Sequence, residues 1–367
     1  MKIGLLTFHF SNNYGALLQA YALSTCLTRL GHDVHLINLR PAPVGAGFHL
    51  RQLAYRNWLY FAEKMLPGSD DSFRRFEKTF LPAATPLAYN SAELKALNLD
   101  CEAYIVGSDQ VWRPRFTKEN AESYFLDFVP PGAKKIAYAA SFGLDFWEGQ
   151  ADQAERMAEW LRQFDAVSVR EASGVEICRN TFGVEARHVL DPTLLVSPDV
   201  YQQFIEKDDS AAPPTLFYFK LDRDADSQAG MEWLRTECGL SAVCMGEKAW
   251  TGLGIKCTRG YDTVPQWLTQ LSRARLVVTD SFHAVCFSLI FRRNFICFIN
   301  SRRGQTRLVS LLEPLGLQDR MYSSAEELRT RRDWMKPIDF DQVARLMDPQ
   351  QASSMQFLQS SLEQGPS

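Results

Sequence analysis

The sequence lacks long apolar runs, an excess of either charge, and a signal peptide. No segment approaches the roughly 20 consecutive apolar residues that a membrane-spanning helix needs, so we expect no integral membrane segment. The formal net charge of -3 over 367 residues gives no overall basic field, and nucleic acid is therefore not an expected partner. At the start of the chain, His9 and Asn12 interrupt an apolar core that is too short for an export signal.

The eight cysteines are scattered and form no CxxC pair, which makes a zinc site and a disulfide framework both unexpected. Cys286 and Cys297 lie within apolar runs, where cysteine packs as a small core residue. Reduced thiols and the missing export signal together predict a cytoplasmic protein without a bound metal.

The composition and length are those of a globular protein with more than one core. With 46% hydrophobic and 23% charged residues, the chain is not disordered, and 367 residues exceed the usual size of a single core. Short β-branched runs alternate with helical patterns throughout, which predicts an α/β fold. We predict two Rossmann-like domains, residues 1–200 and 214–335, joined by a linker within 196–214. Residues 336–367 are predicted to be helical with a polar tail.

The first 40 residues indicate how a ligand could bind. A strand over residues 2–9, a polar turn with Asn13 and Gly15, a helix over 16–30 and a strand over 34–39 form a βαβ unit. The turn has no GxGxxG pattern and is therefore not a dinucleotide-binding fingerprint. It still directs backbone amides from a helix start, which suits a phosphate or a carboxylate.

Residues 275–293 repeat this arrangement in the second half with a histidine added. A strand of Leu276, Val277 and Val278 leads to Asp280 and Ser281, both good N-cap residues, before a helical apolar run. His283 then falls in the first helical turn, near amide donors and the positive end of the helix dipole. This pattern predicts an anion site beside a titratable group. The alternative is a capped turn whose histidine only packs.

Polar residues follow several other predicted strands. In open α/β sheets ligands bind outside the carboxyl ends of the strands, so two such domains would bring both sets of residues to one cleft. We therefore predict an enzyme with a polar, anion-tolerant cleft. The residues are Asn13, Ser108, Asp109, Gln110, Ser141, Arg170, Glu171, Lys220, Asp280, His283, Arg302 and Arg303.

Several of these residues also have structural interpretations. Asp109 could cap a strand-to-helix turn, and Arg170 could pair with a neighbouring carboxylate on the surface. Tyr14 and Trp112 could be core aromatics or platforms on which a sugar stacks. Asp191 precedes a proline, a pair that favours a turn, and we interpret it as structural.

Six stretches in this order resemble the polysaccharide pyruvyl transferase family. They are residues 13–20 (NYGALLQA), 106–112 (VGSDQVW), 138–143 (YAASFG), 168–171 (SVRE), 190–193 (LDPT) and 279–283 (TDSFH). The resemblance covers the chain to about residue 320. It implies a two-domain architecture of the GT-B type. It also implies that a pyruvyl group passes from phosphoenolpyruvate to two hydroxyls of a sugar in a cell-surface polysaccharide or its precursor, forming a ketal and phosphate.

The resemblance implies roles for the cleft residues and no cofactor besides the donor substrate. His283 would act as general acid or base, with Asp280, Asp109 or Glu171 orienting it or accepting the hydroxyl proton. Arg170 would make a bidentate contact to the donor anion. Further donor-site residues would be Ser281, Lys220, Asn13, Gly15, Ser108, Ser141, Arg302 and Arg303. Tyr14, Trp112 and Gln110 would bind the acceptor, a free or lipid-linked sugar or glycan.

Two positions depart from the family pattern, and two other functions stay open. Ala284 replaces a glycine after the motif histidine, and Arg113 replaces an expected asparagine, both at the predicted cleft. A nucleotide-sugar glycosyltransferase of the GT-B type would need a carboxylate for the ribose, for which Asp262 and Glu313 are candidates. A non-catalytic sugar- or anion-binding protein is the third hypothesis.

Overall fold

The structure, a computed structural model, describes residues 1–10, 12–42, 71–206, 215–222, 224–245, 256–257, 263–299 and 305–363. These residues form two six-stranded parallel sheets, one in each half of the chain. Residues 50–65, where aromatic and basic residues recur at helical spacing in the sequence, lie outside the described residues, as do the polar tail and residues 207–214 of the predicted linker.

The first sheet has the strand order β2-β1-β3-β4-β5-β6, and all its pairings are parallel. Its central strands are apolar and buried on both faces, as expected for a parallel sheet covered by helices. The strands are β1 (Lys2–Leu6), β2 (Asp33–Leu36), β3 (Ala103–Val106), β4 (Lys134–Ala140), β5 (Ala166–Val169) and β6 (Arg187–His188).

The helices of this half are α1 (Tyr14–Arg29), α2 (Asp71–Phe80), α3 (Ser91–Ala96), α4 (Pro114–Thr117), α5 (Ala151–Leu161), α6 (Ala172–Ile177) and α7 (Asp199–Gln202). Asn13 caps α1 by accepting from the amides of Gly15 and Ala16. This cap fixes the start of α1 at the carboxyl end of β1, where the predicted turn lies.

The second sheet has the order β12-β11-β10-β7-β8-β9 and is also parallel. Its strands are β7 (Thr215–Phe219), β8 (Ser241–Cys244), β9 (Lys256–Cys257), β10 (Leu276–Thr279), β11 (Asn294–Phe298) and β12 (Met321–Tyr322). Its helices are α8 (Ala225–Cys238), α9 (Val264–Arg273), α10 (Phe282–Ile290), α11 (Thr306–Leu312) and α12 (Ala325–Arg331). The predicted fold class is confirmed, whereas the domain limits stay a prediction.

The last helix, α13 (Phe340–Glu363), connects the two halves. Just before it, the amide of Ile338 donates to Asn294 at the start of β11 (2.9 Å). Further along, Ser354 Oγ accepts from the Leu190 amide (3.0 Å), and Lys134 Nζ of β4 donates to the Leu362 carbonyl (2.5 Å). Among the described residues, no helix has the length and apolarity required to cross a membrane.

Candidate active site

A cavity of about 300 Å³ lies between the carboxyl ends of the two sheets. The first half contributes Asn13, Asp109 and Gln110, together with a set of aromatic side chains. From the second half come Asp280, Ser281, Phe282, His283 and Arg307. The cavity therefore contains polar residues from the strand ends of both sheets. This agrees with the strand-end rule, by which ligands in open α/β sheets bind outside the carboxyl ends of the strands.

The start of α10 is fixed by the two residues that precede it. Ser281 Oγ accepts from the amide of Ala284 (3.4 Å), which makes Ser281 the N-cap. Both Asp280 oxygens accept from the loop after β7, at the amides of Leu221 (2.7 Å) and Asp222 (3.1 Å). Asp280 thus holds this loop against the strand end.

His283 reaches from the second half into a slot formed by the first half. Its Nε2 lies 3.4 Å from Asp191 Oδ2 and 3.4 Å from Arg170 Nη1. A Cβ atom at Gly15 would lie 2.1 Å from Nδ1 of the imidazole, so only glycine leaves room for this ring. The side chain is 8% exposed and lines the cavity. The ring therefore has one defined orientation at the junction of the two sheets.

Arg170 is buried and bound to protein carboxylates. Its Nη1 donates to Asp191 Oδ2 (2.6 Å) and its Nη2 to Asp109 Oδ1 (3.1 Å). The guanidinium carbon lies 4.6 Å from the centroid of the Phe282 ring. Burial lowers the pKa of Arg170, but Asp191 and Asp109 outweigh it and raise the net pKa. In this structure its predicted bidentate contact joins two aspartates of the same chain.

Asp191, interpreted from the sequence as structural, is a central member of this cluster. Its Oδ1 accepts from the amide (3.0 Å) and hydroxyl (2.7 Å) of Thr193, and its Oδ2 accepts from Ser108 Oγ (3.0 Å). Burial raises its pKa, yet His283 and Arg170 hold the pKa well below the usual range. The strand-end rule also applies to Asp191, which follows β6, but the proline beside it favoured the structural interpretation.

Arg307 is a site residue that the sequence pattern did not indicate. It lies on α11, lines the cavity, and has its guanidinium carbon 5.9 Å from the Phe282 centroid. Burial, and then the positive charge of Arg170, lower its pKa to about 10. Arg307 also affects Asp109. Burial raises the pKa of Asp109, but the charges of Arg170, His283 and Arg307 outweigh burial, so the net pKa of Asp109 is lowered. Nothing in the local sequence around Arg307 distinguishes it from a surface arginine of an amphipathic helix.

Tyr14 and Trp112 are packed in the core. The Tyr14 ring stacks on Trp267 at 5.1 Å, and the Trp112 ring stacks on Phe125 at 5.2 Å. Trp112 Nε1 also donates to the Tyr124 carbonyl (2.9 Å). Both side chains are buried, which favours the core interpretation over sugar stacking.

The other predicted donor-site residues are divided between the cavity and the core. Ser108 and Ser141 are fully buried, and Ser141 Oγ donates to Glu171 (3.1 Å). Lys220 Nζ bonds Asp224 Oδ2 (2.9 Å), and Lys220 does not line the cavity. Arg302, Arg303 and Asp262 lie outside the described residues. Glu313, the other candidate carboxylate for a nucleotide ribose, is exposed and does not line the cavity.

The two departures from the family pattern also have defined places. Arg113 is buried, with Nε bonded to Glu148 Oε2 (3.2 Å) and Nη1 to Gln110 Oε1 (3.0 Å). Its guanidinium carbon lies 5.0 Å from the ring centroid of Phe116, a cavity residue. Ala284 is fully buried within α10. Arg113 therefore positions Gln110 and Phe116, two side chains of the cavity, without lining the cavity itself.

Two parallel-sheet domains with a polar site between their carboxyl ends define a protein of the GT-B type. Residues 13–302 match the family described as Polysaccharide pyruvyl transferase, and the chain belongs to this family. The predicted family is thereby confirmed. A comparison with curated protein sequences found no significant match.

Similar folds occur among solved UDP-GlcNAc 2-epimerases. The enzyme from Neisseria meningitidis bound to UDP-GlcNAc has a TM-score of 0.56 at 8% identity, covering 99% of each chain. The enzyme from Methanocaldococcus jannaschii in complex with UDP-GlcNAc and UDP has a TM-score of 0.51 at 13% identity, covering 95% of this chain and 99% of that one. The UDP-N-acetylglucosamine 2-epimerase from Rickettsia bellii has a TM-score of 0.52 at 12% identity, covering 98% and 96%. At these identities the likeness concerns the fold alone.

Proposed function

We propose that this protein transfers a pyruvyl group from phosphoenolpyruvate to two hydroxyls of a sugar in a cell-surface polysaccharide or its precursor. The reaction forms a ketal, releases phosphate, needs no cofactor and takes place in the cytoplasm. The observation that carries the proposal is the position of His283, which contacts Asp191 and Arg170 of the first half and lines a cavity shared with Arg307. Membership of the family supports the transferase class.

The donor requires a site for two anionic groups, a phosphate and a carboxylate. Arg307 supplies a cation at the cavity wall, and the start of α10 directs its positive end toward the same space. Binding an anion beside Arg307 offsets the unfavourable burial of its charge, which is reflected in its lowered pKa. We therefore place the donor between Arg307 and His283.

The chemistry requires one proton to move from an acceptor hydroxyl to carbon. In the first step the hydroxyl oxygen bonds to the central carbon of the donor, while the methylene carbon gains a proton and becomes a methyl group. In the second step another hydroxyl of the sugar displaces the phosphate, and its proton leaves with the phosphate or a base. To His283, which lines the cavity, we assign the acceptance of the hydroxyl proton and the donation of one to the methylene carbon.

The test is the variant His283→Ala with phosphate release measured from phosphoenolpyruvate and a purified acceptor glycan. We expect a loss of about 100-fold or more in kcat, the range associated with general acid–base catalysis. His35→Ala, at a partly exposed histidine of β2, is the matched control and should retain activity. Full activity of His283→Ala with an unchanged circular dichroism spectrum would contradict the proposal.

A further inference from the structure

The half of the cavity away from the second sheet has an aromatic wall, made of Phe8, Phe10, Phe116 and Tyr124. Phe116 is 42% exposed, although most large apolar side chains of this half are buried. The Phe8 and Tyr124 rings meet edge to face at 5.3 Å, and the Arg113 guanidinium lies over Phe116 at 5.0 Å. These contacts fix the rings while leaving aromatic surface open to the cavity.

Asn120 adds a polar group to the same wall. Its side chain is buried and lines the cavity, and its Nδ2 donates to the Arg40 carbonyl at 3.5 Å. Because a carbonyl can only accept, this bond determines which amide atom is the nitrogen. No group in the described part of the chain donates to the remaining atom, Oδ1. A buried amide oxygen without a donor is unfavourable, and it indicates a place for a ligand donor.

We propose that this aromatic wall and Asn120 form the binding site of the acceptor sugar. A pyranose ring has an apolar C–H face, which packs on an aromatic side chain, and an edge of hydroxyl groups that donate hydrogen bonds. Phe116 and Phe8 provide the aromatic surface, and Asn120 Oδ1 accepts from one hydroxyl. His283 lines the same cavity, so a sugar bound here has its reacting hydroxyls beside the donor site. The inference rests on the proposed function, which makes the acceptor a sugar.

The first experiment measures binding without turnover. Saturation-transfer NMR is recorded for the full-length protein with the methyl glycosides of glucose, galactose and mannose, and with sorbitol. Sorbitol has hydroxyl groups but no ring face, so we expect signal from at least one glycoside and none from sorbitol. Phe116→Ala and Asn120→Ala should each reduce the glycoside signal at least 5-fold. Phe146→Ala, at an exposed phenylalanine (57%) that does not line the cavity, should leave it unchanged.

The second experiment uses phosphate release from phosphoenolpyruvate with an acceptor glycan. We expect Phe116→Ala to raise KM for the acceptor about 10-fold and to leave KM for phosphoenolpyruvate within 2-fold. If Phe116→Ala raises only KM for phosphoenolpyruvate, the acceptor assignment is wrong, whereas the proposed pyruvyl transfer stands. Glycoside binding that depends on Phe116, without any release of phosphate by the parent protein, would support the sugar site and contradict the pyruvyl donor. Absence of signal with all three glycosides would overturn the inference.

Discussion

At the scale of single residues, the site depends on a buried charge cluster that spans the two halves. Asp191 bonds Arg170, Ser108 and Thr193 of its own half, and its Oδ2 also faces the imidazole of His283 from the other half. A carboxylate in this position orients the ring and balances the positive charge that His283 gains when it accepts a proton. Asp191 is therefore a positioning residue in the proposed reaction.

Asp191→Asn tests this role because asparagine keeps the shape and removes the charge. We expect kcat for phosphate release to fall about 100-fold, with KM for phosphoenolpyruvate nearly unchanged. Because Arg170 loses one of two carboxylate partners, the free energy of unfolding should also fall, by about 3 kcal/mol in urea titrations. Asp145→Asn, at an exposed aspartate, is the control. A less stable variant with an unchanged kcat would limit Asp191 to a structural role.

At the scale of elements, strands were predicted more reliably than helices. Buried parallel strands are short apolar runs, and the strands predicted over residues 2–9 and 276–278 coincide with β1 and β10 for this reason. The sequence pattern did not indicate α8 or α12. The buried side of α8 combines Met231 and Leu234 with Ser227 and Gly230, so only two large apolar residues mark its inner face. Its caps, Asp224 at the start and Gly239 at the end, are the sequence signals that could have indicated it.

Gly230 shows how closely α8 packs. A Cβ atom there would lie 3.1 Å from Phe298 of β11 and 3.2 Å from Ala325 of α12. Gly230→Leu should therefore force these elements apart and lower the free energy of unfolding by about 2 kcal/mol, a typical cost of overpacking. The measurement is urea unfolding with Ala229→Leu as control, since Ala229 is exposed on the same helix. Equal stability of the two variants would show that α8 has room for the side chain.

The site was predictable only where it follows strand ends. Asn13, Asp109, Gln110, Ser281 and His283 were found in this way, and all of them line the cavity. The rule could not identify side chains that reach the cavity from helices and turns. Such side chains are Arg307 on α11, Phe116 on α4 and Asn120 in the turn Lys118–Asn120. Their positions depend on how these elements pack over the sheets, which strand patterns do not specify.

At the scale of the whole molecule, the two halves are joined at the site and on α13. His283 of the second half contacts Asp191 of the first, and α13 bonds β4 through Lys134 and the start of β11 through the preceding residue Ile338. Groups that titrate at the site therefore affect the stability of both halves. Because the pKa values of Asp109 and Asp191 are held below their usual range, their contribution is present above the unfolded-state pKa and is lost in acid.

His9 also makes the stability of the protein depend on pH, in a higher pH range than the two aspartates do. It is fully buried after β1, and its Nδ1 bonds the Thr7 carbonyl at 2.9 Å. Burial lowers its pKa to about 4, and Arg40 contributes in the same direction, whereas the bond to Thr7 opposes the shift. The unfolded state, with a histidine pKa of about 6.5, binds more protons than the native state between these two values. Stability therefore falls as the pH decreases from about 6.5 to about 4.

His9→Gln should remove this part of the pH dependence, because glutamine does not titrate and can still donate to the Thr7 carbonyl. From pH 7 to pH 4, the free energy of unfolding of the parent should fall by about 3 kcal/mol more than that of the variant. The measurement is urea unfolding of both proteins at half-unit steps of pH. Between pH 7 and 8 the difference between them should stay constant, which serves as the internal control. Parallel curves from pH 7 to 4 would mean that His9 has the same pKa in the native and unfolded states, and that it contributes nothing to the acid sensitivity.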